Sequence, residues 1–422
     1  MRIAVVGSGI AGLAAAWRLS REHEIVLFEA NDYLGGHTHT HDVEHEGRRC
    51  RVDSGFIVHN PVHYPRLATL FEELGVATRP TTMGFSVQRE DGLEYNATSL
   101  DALFCQRRNL VSPRFLGMIA DLLRFYRHAP ALLEDPGSGP GPSLGEYLDM
   151  HRYGDAFRTD HLVPMASALW SSPPSRILEF PVRYLVAFMA NHQMLQLRGR
   201  PQWRVVEGGS ASYVERLRER WRVRERLCTP VRAVRRHAEG VQLLHAGGTE
   251  SFDHVVLACH SDQALALLED ADPREREVLG ALEYQDNEAV LHTDARLLPR
   301  RRKAWAAWNA HVPADPDAPC TVSYCMSLLQ GLHTRVPLVV TLNRGEAIDP
   351  ARVLRRMRYA HPVYTAASVA ARARRSEIQG LRRTWFAGAY WGWGFHEDGI
   401  RSGEEVAAAL QAHAVPRLRA VA

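Results

Sequence analysis

Lysine is nearly missing from this chain: Lys303 is the only one among 51 lysine and arginine residues in 422 positions. Such a skew follows genome composition, and where the arginines cluster it favours phosphate and carboxylate recognition. An excess of one charge sign is lacking as well. The 51 basic residues face 48 acidic ones, and a net charge of +3 excludes nucleic-acid binding by bulk electrostatics. The six cysteines (Cys50, Cys105, Cys228, Cys259, Cys320, Cys325) contain no C-x-x-C pair, which excludes a disulfide scaffold and fits a reducing compartment. No uninterrupted apolar stretch reaches bilayer length. Residues 1–19 have an export-signal look, with Arg2, an apolar run and the triplet Ala14, Ala15, Ala16, but Gly7, Gly9 and Gly12 interrupt that run. The expectation is a soluble cytoplasmic protein. Hydrophobic residues at 45% and charged residues at 23% exclude disorder as the main state, and the length calls for two domains or one domain with a large insertion. No internal repeat is visible.

What is present starts at the N-terminus. Ile3 to Val6 form a short buried-strand pattern, GSGIAG follows at once, and Leu13 to Leu19 then have helical spacing. Gly7 permits a tight turn, Gly9 lets the backbone approach a pyrophosphate, and Gly12 lets the helix pack on the strand. Ile10 and Ala11 open that helix, whose N-terminus is aimed at the anion. A second buried run, Ile25 to Phe28, ends at Glu29, placed to accept hydrogen bonds from ribose hydroxyls. The chain continues EANDYLGGHTHT, so Gly35 and Gly36 add a second flexible backbone element soon after Glu29 and Ala30.

This pattern, with VDSGFIVHN from Val52 to Asn60, FDHVVLACH near Asp253 and FAGAYWGWGFHEDGIRSG from Phe386 to Gly403, resembles the flavin amine oxidase superfamily. That superfamily includes monoamine oxidases, phytoene desaturases and protoporphyrinogen oxidases. The resemblance implies FAD, held by the N-terminal turn and by Gly35, Gly36, His37, Thr38, Gly55 and Phe56. It also implies that the glycine-rich stretch at Gly388 returns to the nucleotide fold and that Asp398, Gly399 and Ile400 start a helix toward the pyrimidine end of the flavin. One departure is that Ala389 and Tyr390 follow Gly388, where many relatives carry an acid. Val231 matches the adenine-facing strand by position; a backbone contact with adenine and an ordinary core role both stay open. The implied fold is α/β, a Rossmann-type FAD-binding domain of residues 1–80, 201–285 and 380–422 with an interleaved α+β substrate domain of residues 81–200 and 286–379. Within the latter, 110–128 has helical spacing, and EDPGSGPGPSLGEYL reads as a linker ending in a Ser143–Glu146 capping box.

Longer segments, among them YNATSLDALFCQRRNL, ALWSSPP and NHQMLQLRGRPQWRVVEGGS, resemble a narrower bacterial group: NAD/FAD-binding, amine-oxidase-like proteins associated with cyclopropane, methylated and furan fatty-acid modification. That resemblance implies an acyl-chain substrate and a lipid methyltransferase as a partner. Where relatives continue MNRLQ, this chain has Met326-Ser327-Leu328-Leu329-Gln330. In amine oxidases a lysine commonly holds a water near flavin N5; the comparable stretch here, Gln285 to His292, offers Asn287, Glu288 and His292 instead, which weighs against simple amine oxidation.

The catalytic candidates are His396, Glu397 and His59. The first two precede the flavin-facing helix and could move a proton, although Asp398 as a helix cap and His396 as a space-filler stay open. His59 and Asn60 could face the ring or shape a turn. His37, His39 and His41 alternate, but their place in the phosphate-side loop favours FAD contact or exposure, and no metal is expected. Trp385, Trp391 and Trp393 could wall the site or fill the core. RRRKAWAAWN, from Arg300 to Trp308 and beyond, could meet a lipid surface at the inner face of the membrane. The expected activity is FAD-dependent desaturation of a methylated or plain fatty-acyl chain. Redox-neutral double-bond isomerisation, amine oxidation and a non-catalytic flavoprotein role are the alternatives.

Overall fold

In a computed structural model, which describes residues 1–134, 141–170, 173–315, 318 and 320–414, the strands β1 (Arg2–Val6) and β2 (Glu24–Phe28) lie inside a five-stranded parallel sheet. The order is Val223–Arg226, β2, β1, His254–Leu257, Thr384–Phe386, so its strands come from widely separated stretches of chain. A parallel strand is covered on both faces, which is why these segments read as unbroken apolar runs. Ile3, Val5, Ile25 and Leu27 join a core with α1 (Ile10–Leu19) and the C-terminal helix His396–Ala414, while Ala4, Val6, Val26 and Phe28 join a second core on the opposite face. This is the α/β class expected from the sequence.

A second sheet has seven strands in the order Val353–Pro362, Tyr284–His292, Val339–Leu342, Thr321–Cys325, Trp308–Val312, Phe85–Arg89, Glu94–Asn96. All its neighbours are antiparallel except Trp308–Val312 beside Phe85–Arg89. Helices Pro113–His128, Leu144–Met150 and Val182–Asn191 pack around Phe125, Tyr147 and Phe188 in a third core. The helix expected over 110–128 starts only at Pro113, because Ser112 caps it and Arg107–Val111 is a separate 3-10 turn. The Ser143–Glu146 capping box is formed, whereas the centre of the expected linker, 135–140, and part of ALWSSPP, 171 and 172, lie outside the described residues. Among the described residues no helix is long and apolar enough to cross a membrane.

Candidate active site

The turn after β1 is made of glycines that leave no room for side chains. A Cβ at Gly7, where φ is 100°, would sit 2.8 Å from the Ala258 carbonyl oxygen, and one at Gly12 would sit 2.0 Å from the Gly7 carbonyl oxygen. At Gly9 a Cβ would meet nothing within 4 Å, so this turn is open on the side where the first N–H groups of α1, at Ile10 and Ala11, lack helical acceptors. Gly35 bridges to Gly9, and its N–H donates to the Ser8 carbonyl at 3.1 Å, which brings Gly36 against the same turn. A Cβ on Gly55 would lie 2.1 Å from the His37 carbonyl oxygen, so the Asp53–Phe56 segment closes on this loop.

The helix His396–Ala414 crosses α1 at glycines. A Cβ on Gly399 would be 2.6 Å from Ile10 Cγ2, and one on Gly403 would be 2.2 Å from the Ala11 carbonyl oxygen. Two helix N-termini therefore meet at one place, which concentrates unpaired N–H groups and positive dipole ends where a dinucleotide would put its negative charge. Ile400 is fully buried beneath this crossing. Gly388 is tied to the same helix by an N–H bond to Ser402 Oγ at 3.0 Å.

The acids before this helix have structural duties. Asp398 accepts from the backbone N–H of Trp393 at 2.9 Å and Phe395 at 3.1 Å and pairs with Arg401 at 2.8 Å, so it holds the preceding turn and has little left for a cofactor. Glu397 lines the cavity beside this helix and has a structural duty as well. Its two oxygens accept from Arg66 N at 3.0 Å and Leu67 N at 3.2 Å, capping the neighbouring helix Pro65–Leu74.

His396 faces inward. Its Nε2 lies 2.9 Å from Thr38 Oγ1 and 3.3 Å from the Tyr213 hydroxyl, and its ring stacks on Phe56 at 3.7 Å. Burial, with His59 nearby, lowers its pKa to about 3, so it is a neutral hydrogen-bonding group. His59 is buried edge-on against Phe71, its pKa lowered to about 4 by burial and then Arg204, and its Nδ1 has no partner among the described residues. Asn60 does turn duty, its Oδ1 accepting from His63 N.

A second group of histidines escaped sequence reasoning. His37 packs 5.4 Å from His361 and 5.0 Å from Tyr359, with His260 at 6.2 Å stacked on Tyr284. Burial holds His37 well below the usual histidine range, helped by His361 and His260, and lowers His361 to about 4. Asn287 Nδ2 donates to His361 Nδ1 at 3.1 Å, so of the three polar residues noted in this stretch Asn287 reaches the group. Glu288 pairs with Arg356, and His292 bonds Thr341. The alternation of Tyr359 and His361 on one strand was the available signal. His39 and His41 pack on each other at 4.0 Å with their rings tilted by 47°, but His37 turns away from them toward His361, so the three do not form a common cluster.

Beside the His396 helix lies a cavity of about 550 Å³, whose lining includes Tyr64, His192, Trp393 and Phe395, with Arg66 and Arg401 among its charged groups. Behind it Tyr184 and Phe188 pack on Trp393 at 4.4 and 5.6 Å. Trp393 thus walls the cavity, whereas Trp385 and Trp391 are buried in the core, hydrogen-bonded to His254 and to the Phe386 carbonyl.

The residues present fit FAD. The open turn at Gly9, the paired helix ends and the buried His37 Nε2 with no partner among the described residues together form a polar cradle. Glu29 stands at the end of β2 as expected, but Ser8 N, Ser8 Oγ, Asn31 N and Asn31 Nδ2 already donate to it at 2.6 to 3.0 Å. Ribose hydroxyls would therefore share that carboxylate or displace the Ser8 and Asn31 side chains. Ala30 is exposed beside it, and Val231 is half-buried two residues beyond Thr229, whose N–H donates to the Glu29 carbonyl.

Comparison with known proteins bears on this arrangement. The family profile of flavin-containing amine oxidoreductases matches residues 10–291. A Mycobacterium tuberculosis protein named flavin-containing monoamine oxidase AofH is 28% identical over 272 residues, covering 61% of this chain and 56% of that protein. The chain thus spans little more than half the length of this relative. Among solved structures, cyclohexylamine oxidase from Brevibacterium oxydans IH-35A superposes with a TM-score of 0.69 at 17% identity, covering 98% of this chain and 99% of the other. The conjugated-linoleic-acid (CLA)-producing fatty acid isomerase from P. acnes gives 0.66 at 16%, covering 97% and 98%. Likeness at such identity shows the shared fold.

Proposed function

The chain belongs to the flavin-containing amine oxidoreductases, and from that premise we propose that it is an FAD-dependent oxidoreductase desaturating a fatty-acyl chain of a lipid. The observation that carries this reading is the cavity beside the His396 helix, which combines Tyr64, Trp393 and Phe395 with the ionic groups Arg66, Glu397, Asp398 and Arg401, in a chain whose only lysine lies elsewhere. Lys303 is exposed and paired with Asp101 at 2.9 Å, so no lysine is available to hold a water for amine chemistry. When bound, FAD supplies a two-electron acceptor for hydride. The chain's own work is to hold a carbon–hydrogen bond in place, exclude water during hydride transfer and release the proton afterwards. Tyr64, Trp393 and Phe395 supply apolar walls. Burial holds the rings of His396 and His361 neutral, so with Thr38 and Asn287 they act as fixed hydrogen-bonding groups and not as bases.

A lipid substrate calls for a lipid-facing surface, and the basic segment at Arg300 to Trp308 supports one in altered form. Trp305 is half-buried, its indole N–H bonded to the Pro299 carbonyl, and Trp308 lies in a strand, so neither is free to insert. Asp101 instead gathers Arg107 and Lys303 beside Leu100 and Val111, which are 76% and 80% exposed. Exposed leucine and valine in a segment that also carries Arg107 and Arg108 is the composition of an interfacial contact.

The test is an anaerobic absorbance titration of the flavin-loaded protein with lipids bearing unsaturated or methyl-branched acyl chains, against simple amines. Bleaching by lipid alone supports the reading, and bleaching by amine alone refutes it. A redox-neutral double-bond shift would use the same cavity. It is recognised by substrate isotope exchange without net oxidant demand.

A further inference from the structure

We propose that a second cavity, beside the Thr40–His45/Arg48–Asp53 hairpin and away from the turn at Gly9, is a binding site for a phosphate-bearing small molecule. The cavity measures about 400 Å³ and is bounded by that hairpin, by the strand Thr78–Pro80, by Gly208 and Gly209, and by the loop Gln330–Thr334. Four arginines line it, Arg48, Arg49, Arg51 and Arg79, together with His333.

The balance of charge inside it is one-sided. Arg49 is paired with Asp42 at 2.8 Å and Arg51 with Glu215 at 2.6 Å, but Arg48 and Arg79 have no carboxylate partner among the described residues. Glu46, the carboxylate in the lining, turns its oxygens to the backbone N–H groups of Arg335 and Val336 at 2.8 to 3.0 Å. Arg79 is half-buried and Arg48 is exposed at the rim, so an anion entering the cavity would meet one partly desolvated and one solvated guanidinium, whose planar forks each match two oxygens of a phosphate.

The backbone is shaped for the same purpose. A Cβ at Gly331, where φ is 50°, would lie 3.0 Å from Arg79 Nη1 and 3.1 Å from Nη2, so a larger residue would press on the guanidinium. Arg79 is fixed from below, since its backbone pairs with Val205 in the short sheet. At the back wall Gln330 Nε2 donates to Asp53 Oδ2 at 3.0 Å, and Asp53 N–H donates to Gln330 Oε1 at 2.9 Å. That lining side chain thus connects the cavity to the Asp53–Phe56 segment that closes on His37. The volume suits a compact phosphate ester, and none of the groups assigned to FAD above lies in the lining. The inference does not depend on the acyl reading.

Calorimetric titration of the flavin-loaded protein with inorganic pyrophosphate at fixed ionic strength tests it. Loading with flavin removes the dinucleotide cleft as a competing site. Arg79→Gln and Arg48→Gln should each weaken binding by about tenfold or more, and Arg79→Lys should retain part of the affinity as a point charge without a fork. Arg356→Gln, which removes a cation paired with Glu288 on a different surface, should leave it unchanged. Unchanged thermal midpoints for the Arg79 and Arg48 variants would show that the fold is intact, since neither has an ion-pair partner among the described residues. Wild-type affinity in Arg79→Gln, or no measurable pyrophosphate binding, overturns the site. With phosphatidylglycerol vesicles as a second probe, Arg79-dependent binding displaced by pyrophosphate assigns the phosphate to a lipid headgroup. Vesicle binding that is absent or independent of Arg79, with pyrophosphate binding retained, assigns it to a free metabolite.

Discussion

Replacing Gly403 by alanine puts two opposing effects on one methyl group. In the interior of a helix, alanine is favoured over glycine by about 1 kcal/mol. At Gly403, however, the new Cβ would sit 2.2 Å from the Ala11 carbonyl oxygen, a backbone atom in another helix that no rotamer change can move. Relief requires the helix His396–Ala414 to lift off α1 by about an ångström, and forcing a methyl into a packed interior costs up to roughly 3 kcal/mol. The expected net loss is therefore about 2 kcal/mol. It falls on the crossing that brings the two helix N-termini together, so flavin retention should weaken along with stability. Gly117→Ala is the matched control, because Gly117 lies within the helix Pro113–His128 and a Cβ there meets nothing within 4 Å. It should gain about 0.5 to 1 kcal/mol. Urea unfolding monitored by far-UV circular dichroism, with flavin absorbance after gel filtration, reads both quantities. If Gly403→Ala is as stable and as yellow as Gly117→Ala, the helix crossing does not control the cofactor cleft and the reasoning fails.

Glu397→Gln should cost about 1 kcal/mol through the weakened cap on the helix Pro65–Leu74 while leaving turnover nearly intact; a collapse of kcat with unchanged stability would show that Glu397 acts in catalysis. Stability should fall as pH drops from 6.5 toward 4, read as urea midpoints. Below the ordinary histidine pKa of 6.5 the unfolded chain binds protons that His396 (about 3) and His361, His59 and His192 (about 4) refuse in the fold. Asp53, raised to about 6 by burial, acts in the opposite sense, as do Glu397 and Asp398, but the histidines lowered by burial, His41, His161, His254, His292 and His311 among them, outnumber these acids; a flat profile over that range would contradict the burial of these rings. Glu275→Gln should lose about 3 kcal/mol in the same assay, since it strands the fully buried Arg236 side chain, and a loss below about 1 kcal/mol would show that Asp270 alone satisfies that guanidinium. Leu100→Asp with Val111→Asp should abolish co-sedimentation with anionic vesicles without changing the unfolding midpoint, and undiminished sedimentation would locate any lipid contact elsewhere.

Much of the nucleotide half of the molecule was legible in the sequence, and for a local reason. A strand, a glycine turn and a helix are built from neighbours in the chain, and the turn demands glycine at Gly7 and Gly12 because backbone atoms occupy the space a Cβ would need. The unbroken apolar runs of β1 and β2 likewise announced strands buried on both faces. The roles of polar side chains were not legible in this way. Glu397 and Asp398 stand side by side in the sequence, yet one caps a helix that begins at Pro65 and the other braces the turn before its own helix; only the packing of distant segments separates those duties. The meeting of His37, His260 and His361, and of Arg48 with Arg79 and His333, joins positions far apart along the chain. Which backbone can approach a phosphate was readable from residue identity, because it depends on the absence of atoms at single positions. The tertiary structure alone decided which histidines are neutral, which acids are spent and which arginines lack a partner, because those properties depend on burial and on neighbours supplied by other parts of the chain.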